Sequence, residues 1–154
     1  MVFALRCVQV SEFNKTYTLQ LEDKSNADDL NFLRSKLVNF NRSRVDDENF
    51  QSLFIFLRDG GKNSVGGLYG VTYWQWLYVD LLWVEENVRL QGHGHDLLAA
   101  AEQEAIRRGC KHAYLDTFSF QALPFYKKQG YTVFGELPDF PTGYSRYFLK
   151  KNLL

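Results

Sequence analysis

The chain has 154 residues, of which 45% are hydrophobic and 23% are charged, as expected for one globular domain that covers residues 1–154. Eighteen basic residues balance eighteen acidic ones, so the overall charge gives no reason to expect a nucleic-acid or anionic-membrane partner. The longest apolar run, around "WLYVDLLWV", is interrupted by Asp80 and is too short to cross a bilayer.

The two cysteines, Cys7 and Cys110, are far apart and form no C-x-x-C motif. The first residues, "MVFALRCVQVSEF", contain only a short apolar stretch and soon become polar. This pattern predicts a reduced, cytoplasmic protein with no signal segment.

The first half of the chain predicts a strand, a helix and a hairpin. "FALRCVQV" is rich in β-forming residues, and "ADDLNFLRSKLVNFN" has apolar residues at helical spacing. "NFQSLFIFLRDGGKN" ends in the turn signal Asp59-Gly60-Gly61, and "SVGGLYGVTYWQW" follows as a second strand. We expect these last two strands to be antiparallel.

The second half predicts a central strand followed by a crossover. "LYVDLLWVEE" is apolar on both faces, which is typical of a strand covered on both sides. A helix is predicted from Asp96 to Arg108, then a parallel strand at "KHAYLDTF", a short helix at "QALPFYKKQ" and strands at "YTVFGEL" and "SRYFLKKNL". The fold class is therefore α+β with a mixed sheet.

A glycine loop joins the central strand to the long helix. In "RLQGHGHDLL", residues 89–98, Gly92 and Gly94 lack the Cβ that would keep another molecule at a distance. A helix N-terminus behind such a loop favours an anion such as a phosphate or pyrophosphate.

Two well-known phosphate loops fit poorly. No G-x-x-x-x-G-K-[ST] run is present, which excludes a P-loop. A Rossmann loop would need a third glycine where Leu97 stands, although Asp116 imitates its ribose-binding acid. A Rossmann-like dinucleotide protein therefore remains an alternative.

The segment "WVEENVRLQGHGHDLL" resembles the R-x-x-G-x-G/A signature of the GNAT superfamily of acyl-CoA-dependent N-acetyltransferases, with Arg89, Gly92 and Gly94 in the matching positions. "SFQALPFYKKQGYTVFG" is similar to a later block of that family. Its matching residues are Ala122, Tyr126, Gly130 and Tyr131, and Ser119 stands where asparagine is usual.

The resemblance implies a GNAT-like fold: a twisted, mostly antiparallel mixed sheet with a splayed parallel centre, flanked by helices. It also implies acetyl-CoA as co-substrate, bound by strand backbone, by loop N–H groups and by the Ser119 hydroxyl. The implied cofactor-binding residues are Leu82, Trp83, Val84, Arg89, Leu90, Gln91, Gly92, His93, Gly94, His95, Asp96, Ser119 and Tyr126.

The same resemblance implies direct attack of a primary amine on the thioester, with Tyr126 protonating or hydrogen-bonding the leaving sulfur. The alternative for Tyr126 is an ordinary helix tyrosine packed beside Phe125. Asp80 is the candidate base or the group that orients the substrate ammonium, because a carboxylate in an apolar strand needs a partner or a cavity. As a strand residue it is expected to share a face with Tyr78, Leu82 and Val84. A structural acid satisfied by Arg or Tyr partners is equally compatible.

No metal is expected, because His93 and His95 in one loop, with only His112 elsewhere, make a poor ligand set. The acceptor is unidentified: a small amine or amino sugar is favoured, and a protein N-terminus or lysine stays open. The alternative from another class is a non-catalytic acyl-CoA or nucleotide sensor. The resemblance also makes a homodimer an expectation.

Overall fold

The computed structural model describes residues 9–12, 15–24 and 26–154. The chain divides into two compact units, Met1–Asp46 and Asp47–Leu154. No helix in the described ranges is long and apolar enough to cross a membrane.

The first unit contains a short hairpin and one helix. Strands β1 (Gln9–Glu12) and β2 (Lys15–Thr18) pair antiparallel. Helix α1 (Ala27–Arg42) begins after Asn26, whose side chain accepts a hydrogen bond from the Asp28 N–H at 3.1 Å. The helix predicted here is confirmed. Residues 3–8 of the predicted first strand lie outside the described residues.

The second unit is built on a six-stranded sheet in the order β3-β4-β5-β6-β8-β7. All neighbouring strands pair antiparallel except β5 and β6, which are parallel. The predicted mixed sheet with a parallel centre is confirmed. Its strands are β3 (Gln51–Arg58), β4 (Ser64–Tyr73), β5 (Trp76–Val84), β6 (His112–Phe118), β7 (Thr132–Pro138) and β8 (Ser145–Asn152).

Two helices connect the strands around the parallel centre, α2 (His93–Arg107) between β5 and β6 and α3 (Leu123–Lys128) between β6 and β7. Helix α2 buries Leu97, Leu98, Ala101 and Ala105, the apolar stripe expected of a helix packed on a sheet. These side chains share one hydrophobic core with fully buried leucines of the sheet. The leucines are Leu68, Leu77, Leu115 and Leu149.

The parallel pair separates before either strand ends. Residues Trp76–Val79 of β5 pair with His112–Leu115 of β6, and the pairing stops there. Beyond that point Leu81–Val84 stay paired with β4, whereas Asp116–Phe118 stay paired with β8. The expected splay is confirmed, and it opens a gap at the centre of the sheet.

A β-bulge at Asp80 changes which side chains share a face. Tyr69 pairs with Leu81 and Gly70 pairs with Val79, so Asp80 is the extra residue of β5. Leu82 and Val84 consequently pack against the same core as Leu77 and Val79. The expectation that Asp80 shares its face with Leu82 and Val84 is wrong, because strict alternation does not survive the bulge; its contact with Tyr78 remains.

Helix α2 begins three residues earlier than the sequence pattern indicated. Gly92 is its N-cap, with φ of 94°, and the helix runs from His93 rather than from Asp96. Gly94 therefore lies in the first helical turn, where glycine costs little because the turn's N–H groups have no helical partner in any case. The predicted end near Arg108 holds, and Gly109 follows with φ of 87°.

Candidate active site

A cavity of about 770 Å³ occupies the gap between β5 and β6. Its walls come from the second half of β5, the glycine loop, the start of α2, the end of β6 and helix α3. Open α/β sheets commonly bind ligands where strands end and diverge, and this cavity lies at such a place. Its lining residues are Asp80, Leu81, Leu82, Trp83, Val84, Arg89, Leu90, Gly92, His93, Gly94, His95, Asp116, Thr117, Phe120, Gln121, Ala122, Phe125 and Tyr126.

One wall of the cavity is the N-terminus of α2. The first bond of the helix runs from the Asp96 N–H to the Gly92 carbonyl at 3.1 Å. The N–H groups of residues 93–95 have no backbone acceptor in the described part of the chain. With the positive end of the helix dipole, these donors form an anion-binding wall.

Arg89 ties the glycine loop to the end of β5. Its Nε donates to the Val84 carbonyl oxygen at 2.8 Å, and its guanidinium lies 4.5 Å from the centre of the Trp83 ring. Glu86 lies 3.9 Å from the same guanidinium on the exposed side. A charge-assisted hydrogen bond and a cation–π contact together hold the loop in position beside the strand.

Tyr126 reaches the cavity from α3. Only 7% of its surface is exposed, and its ring packs edge-on against Phe125 and Tyr131. Burial, assisted by the negative charge of Asp116, raises the pKa of Tyr126 to about 12. Tyr126 lines the cavity and its hydroxyl has no hydrogen-bond partner within residues 9–12, 15–24 and 26–154, so its proton is available for a ligand there.

A connected set of polar side chains lies on the opposite face of β5 from the core. Arg146 Nε donates to Asp116 Oδ2 at 2.7 Å, and the Tyr78 hydroxyl lies 3.4 Å from Asp116 Oδ1 and 3.3 Å from Asp80 Oδ1. Burial and the two carboxylates raise the pKa of Tyr78 to about 12. Asp80 is exposed and has no cationic partner in the described ranges, whereas Asp116 is paired with Arg146.

Most of the site residues expected from the sequence come together in this cavity. Three do not line it: Gln91 contacts the Asn87 carbonyl at 3.5 Å, Asp96 lies in the first turn of α2 outside the lining, and the Ser119 hydroxyl accepts the Ser145 N–H at 3.2 Å. The eleven that do line it are Asp80, Leu82, Trp83, Val84, Arg89, Leu90, Gly92, His93, Gly94, His95 and Tyr126.

Seven further lining residues were not among the site residues expected from the sequence. Six of them lie from the end of β6 to α3, and their signal was position: this segment meets the glycine loop after β5 because parallel strands end at the same edge of a sheet. The buried Thr117 hydroxyl and the Gln121 side-chain oxygen, 3.3 Å apart, fold that segment back toward α3. The six are Asp116, Thr117, Phe120, Gln121, Ala122 and Phe125, and the seventh is Leu81 on β5.

The loop histidines lie apart from any set of metal ligands. His95 Nδ1 lies 2.7 Å from Gln129 Oε1, and this contact holds the imidazole ring beside the C-terminal end of α3. Across the described ranges, no group of three or more His, Cys, Asp or Glu side chains is placed to hold a metal ion. Cys110 is a buried free thiol whose pKa is raised by burial, and Cys7 lies outside the described residues.

Comparison with known proteins agrees with this geometry. Residues 13–131 match the model of the acetyltransferase (GNAT) family. The chain is 40% identical over 131 residues to acetyltransferase Atu2258 of Agrobacterium fabrum, covering 85% of this chain and 96% of that protein. It is 44% identical over 89 residues to blasticidin-S acetyltransferase of Streptomyces morookaense, covering 57% of this chain and 65% of the relative.

A solved structure shows the same fold. The crystal structure of an acetyltransferase from Bacillus cereus is 32% identical, has a TM-score of 0.80 and matches 86% of this chain and 97% of its own. The family match spans more than half of the chain, and the splayed strands, glycine loop and helix N-terminus form one cavity. The chain belongs to the GNAT family of acetyltransferases.

Proposed function

We propose that this protein transfers an acetyl group from acetyl-CoA to a primary amine of a small acceptor. The observation that carries the proposal is the cavity in the splayed centre of the sheet, where free helix N–H groups and the Tyr126 hydroxyl meet. The match to blasticidin-S acetyltransferase supports a small-molecule acceptor over a protein amine.

The chain's own groups suit the two ends of an acyl-CoA. The N–H groups of residues 93–95 offer donors for a pyrophosphate, and an added Cβ on Gly94 would already touch the Phe125 ring at 3.5 Å. Beyond Val79, the β6-facing edge of β5 has no strand partner, so its peptide groups remain for an extended amide-containing arm.

Acetyl-CoA supplies a thioester, whose carbonyl is open to attack by an amine and whose thiolate leaves. Tyr126 holds its proton across the neutral range, as any tyrosine with a pKa of about 10 or above does, and it can donate that proton to a leaving sulfur. Asp80 places a carboxylate in the cavity, where it attracts an ammonium ion or accepts the amine's proton, directly or through water.

Thermal unfolding with acetyl-CoA, CoA and NAD tests the cofactor assignment. A ligand that binds only the folded state raises its stability, so acetyl-CoA and CoA should raise the Tm and NAD should not. No shift with acetyl-CoA well above micromolar concentration would overturn the proposal, and a shift with NAD alone would favour the Rossmann-like alternative.

Thiol release then separates a transferase from a sensor. With acetyl-CoA and a panel of primary amines, a transferase releases free CoA in proportion to the acceptor, whereas a sensor binds acetyl-CoA and releases none. Steady acetyl-CoA binding with no thiol release from any amine would favour the non-catalytic sensor.

The proposal has three further parts, which concern the number of domains, the cellular setting and the oligomeric state. Residues 1–154 are proposed to form one domain, supported by a family match that spans both compact units. The buried free thiol of Cys110 agrees with a reduced, cytoplasmic setting. The homodimer expected from the family is tested by sedimentation of the purified protein.

A further inference from the structure

Four aromatic side chains gather where β6 ends and in the loop between β7 and β8. Phe118 and Phe120 stack at 5.2 Å with planes 9° apart, and Tyr144 meets Phe120 edge-on at 5.0 Å. Phe140 meets Phe118 edge-on at 6.0 Å. We call Phe118, Phe120, Phe140 and Tyr144 the aromatic platform.

The platform is open to solvent at the cavity. Phe120 lines the cavity and is 55% exposed, and Phe140 and Tyr144 are 45% and 49% exposed. Single exposed apolar residues are ordinary, but a contiguous group of rings beside a cavity is typical of a binding surface. The flat Phe120 ring thus offers a stacking surface that the core does not use.

The platform and Asp80 belong to one continuous surface. The Arg146 guanidinium lies 5.3 Å from the centre of the Phe118 ring and 5.6 Å from that of Phe140. The same guanidinium is paired with Asp116, and Tyr78 bridges Asp116 to Asp80. Because Arg146 neutralises Asp116, the carboxylate on this surface without a cationic partner among the described residues is Asp80, and the platform ring that lines the cavity is Phe120.

We infer that the acceptor is a small amine carrying a flat, π-bonded ring, with the ring against Phe120 and the ammonium toward Asp80. The inference rests on the proposed acetyl transfer and names its acceptor class. Aromatic rings prefer stacked or edge-on aromatic partners, and a cation prefers the carboxylate. A puckered, hydroxyl-rich acceptor would need several polar partners, and among the four platform side chains only Tyr144 carries a hydroxyl group; the chain's zero net charge gives no attraction for a polyanion.

A matched pair of amines tests the ring requirement. 2-Phenylethylamine and 2-cyclohexylethylamine have the same chain length and charge, and differ in whether the ring is flat and π-bonded. With saturating acetyl-CoA, we expect kcat/KM from thiol release to favour the phenyl amine by about fivefold, the range given by one aromatic contact.

Two leucine variants test whether the aromatic platform causes that preference. Phe120→Leu keeps an apolar side chain but removes the ring, and should abolish the preference while leaving the acetyl-CoA Tm shift intact. Phe134→Leu is the matched control, because Phe134 is also 55% exposed but lies on β7 outside the cavity lining. It should keep the preference.

The remaining outcomes would contradict either the inferred acceptor class or the proposed function. Equal rates with the two amines, or a preference that survives Phe120→Leu, would overturn the flat-ring acceptor and leave acetyl transfer standing. Thiol release from non-aromatic amines alone, or from neither amine while acetyl-CoA raises the Tm, would also overturn it. No Tm shift with acetyl-CoA would instead be the failure of the proposed function itself.

Discussion

The two sides of the cavity are built in different ways. The loop side presents mainly backbone: free N–H groups at residues 93–95 and Gly92 at positive φ, with Arg89 donating a hydrogen bond to the Val84 carbonyl oxygen. The other side, which we propose for the acceptor and call the acceptor side, presents side chains, above all Asp80 and Phe120. Backbone donors suit a ligand that is the same for a whole family, whereas side chains can differ from one member to the next.

Because the two sides are built differently, substitutions on each side should affect different properties of the enzyme. Substitutions on the loop side should alter the affinity for acetyl-CoA and spare acceptor choice, and those on the acceptor side should do the reverse. Tyr126 lies between the two sides and should affect the chemical step alone.

The largest effect is expected from Tyr126→Phe. Loss of the proton donor should lower kcat about a hundredfold, while the Tm shift with CoA stays the same because the ring still fills the core. Tyr69→Phe on β4 is the control, since Tyr69 stacks on Phe54 and lies outside the cavity lining. An unchanged kcat in the Tyr126 variant would make this residue a packing tyrosine.

Gly94→Ala tests the loop side. Its Cβ would meet the Phe125 ring at 3.5 Å, an ordinary contact, and alanine favours a helical turn, so the Tm without ligand should stay the same or rise. The affinity for acetyl-CoA should nevertheless fall about tenfold, because the methyl group occupies space that a bound pyrophosphate needs, at a cost of about 1.4 kcal/mol.

Gly60→Ala is the control for that substitution. Its Cβ would meet nothing within 4 Å in the β3–β4 turn, so neither stability nor affinity should change much. An unaltered acetyl-CoA affinity in Gly94→Ala would show that the close approach lies elsewhere in the loop.

Asp80→Asn tests the acceptor side. It keeps the shape of the side chain and removes its charge, so the KM for the amine should rise about threefold to fivefold, as for an exposed ion pair. The KM for acetyl-CoA should not move. Glu85→Gln, also exposed but outside the cavity lining, is the control. A fall in kcat at constant KM would identify Asp80 as the base rather than the group that orients the ammonium.

The smallest effect is a loss of stability at alkaline pH. In the folded chain the pKa values of Tyr78 and Tyr126 are each raised to about 12, above the value near 10 of an unfolded tyrosine. The unfolded chain therefore loses protons first, and stability present below pH 10 is lost as pH rises toward 12. The Tm should fall by a few degrees over this range, and Tyr126→Phe should make the fall shallower; an equally steep fall in that variant would contradict the assignment.

Local sequence patterns were sufficient for α1, for the elements of the second unit and for the loop side, but they did not predict strand β2. Helical spacing identified α1 and most of α2, and the glycine spacing located the anion-binding turn because all of its parts are adjacent in sequence. The acceptor side could not be found in that way. Phe118 and Arg146 face each other only because β6 pairs with β8, and no local sequence pattern predicts which strands pair.

The sequence analysis did not predict the bulge at Asp80, although Gly70 in the neighbouring strand could have indicated it. Gly70 lies within the β4 pattern, and an added Cβ there would stand 2.6 Å from the Tyr78 carbonyl oxygen. A glycine inside a strand often marks a bulge or a close approach of two backbones. Period-two reasoning on β5 alone therefore assigned Asp80 to the wrong neighbours.

That one extra residue reverses which side chains of β5 point toward the core. Before it, the odd-numbered Leu77 and Val79 face the core; after it, the even-numbered Leu82 and Val84 do, and Leu81 and Trp83 are 61% and 62% exposed. If residues 77–84 alternated regularly with no bulge, Leu81 and Trp83 would face the core and Leu82 and Val84 would face outward. The insertion thus sets the two halves of one strand in opposite phase: Asp80 lies in the cavity lining, while Leu82 and Val84 pack on the core and hold the end of β5 where the glycine loop begins.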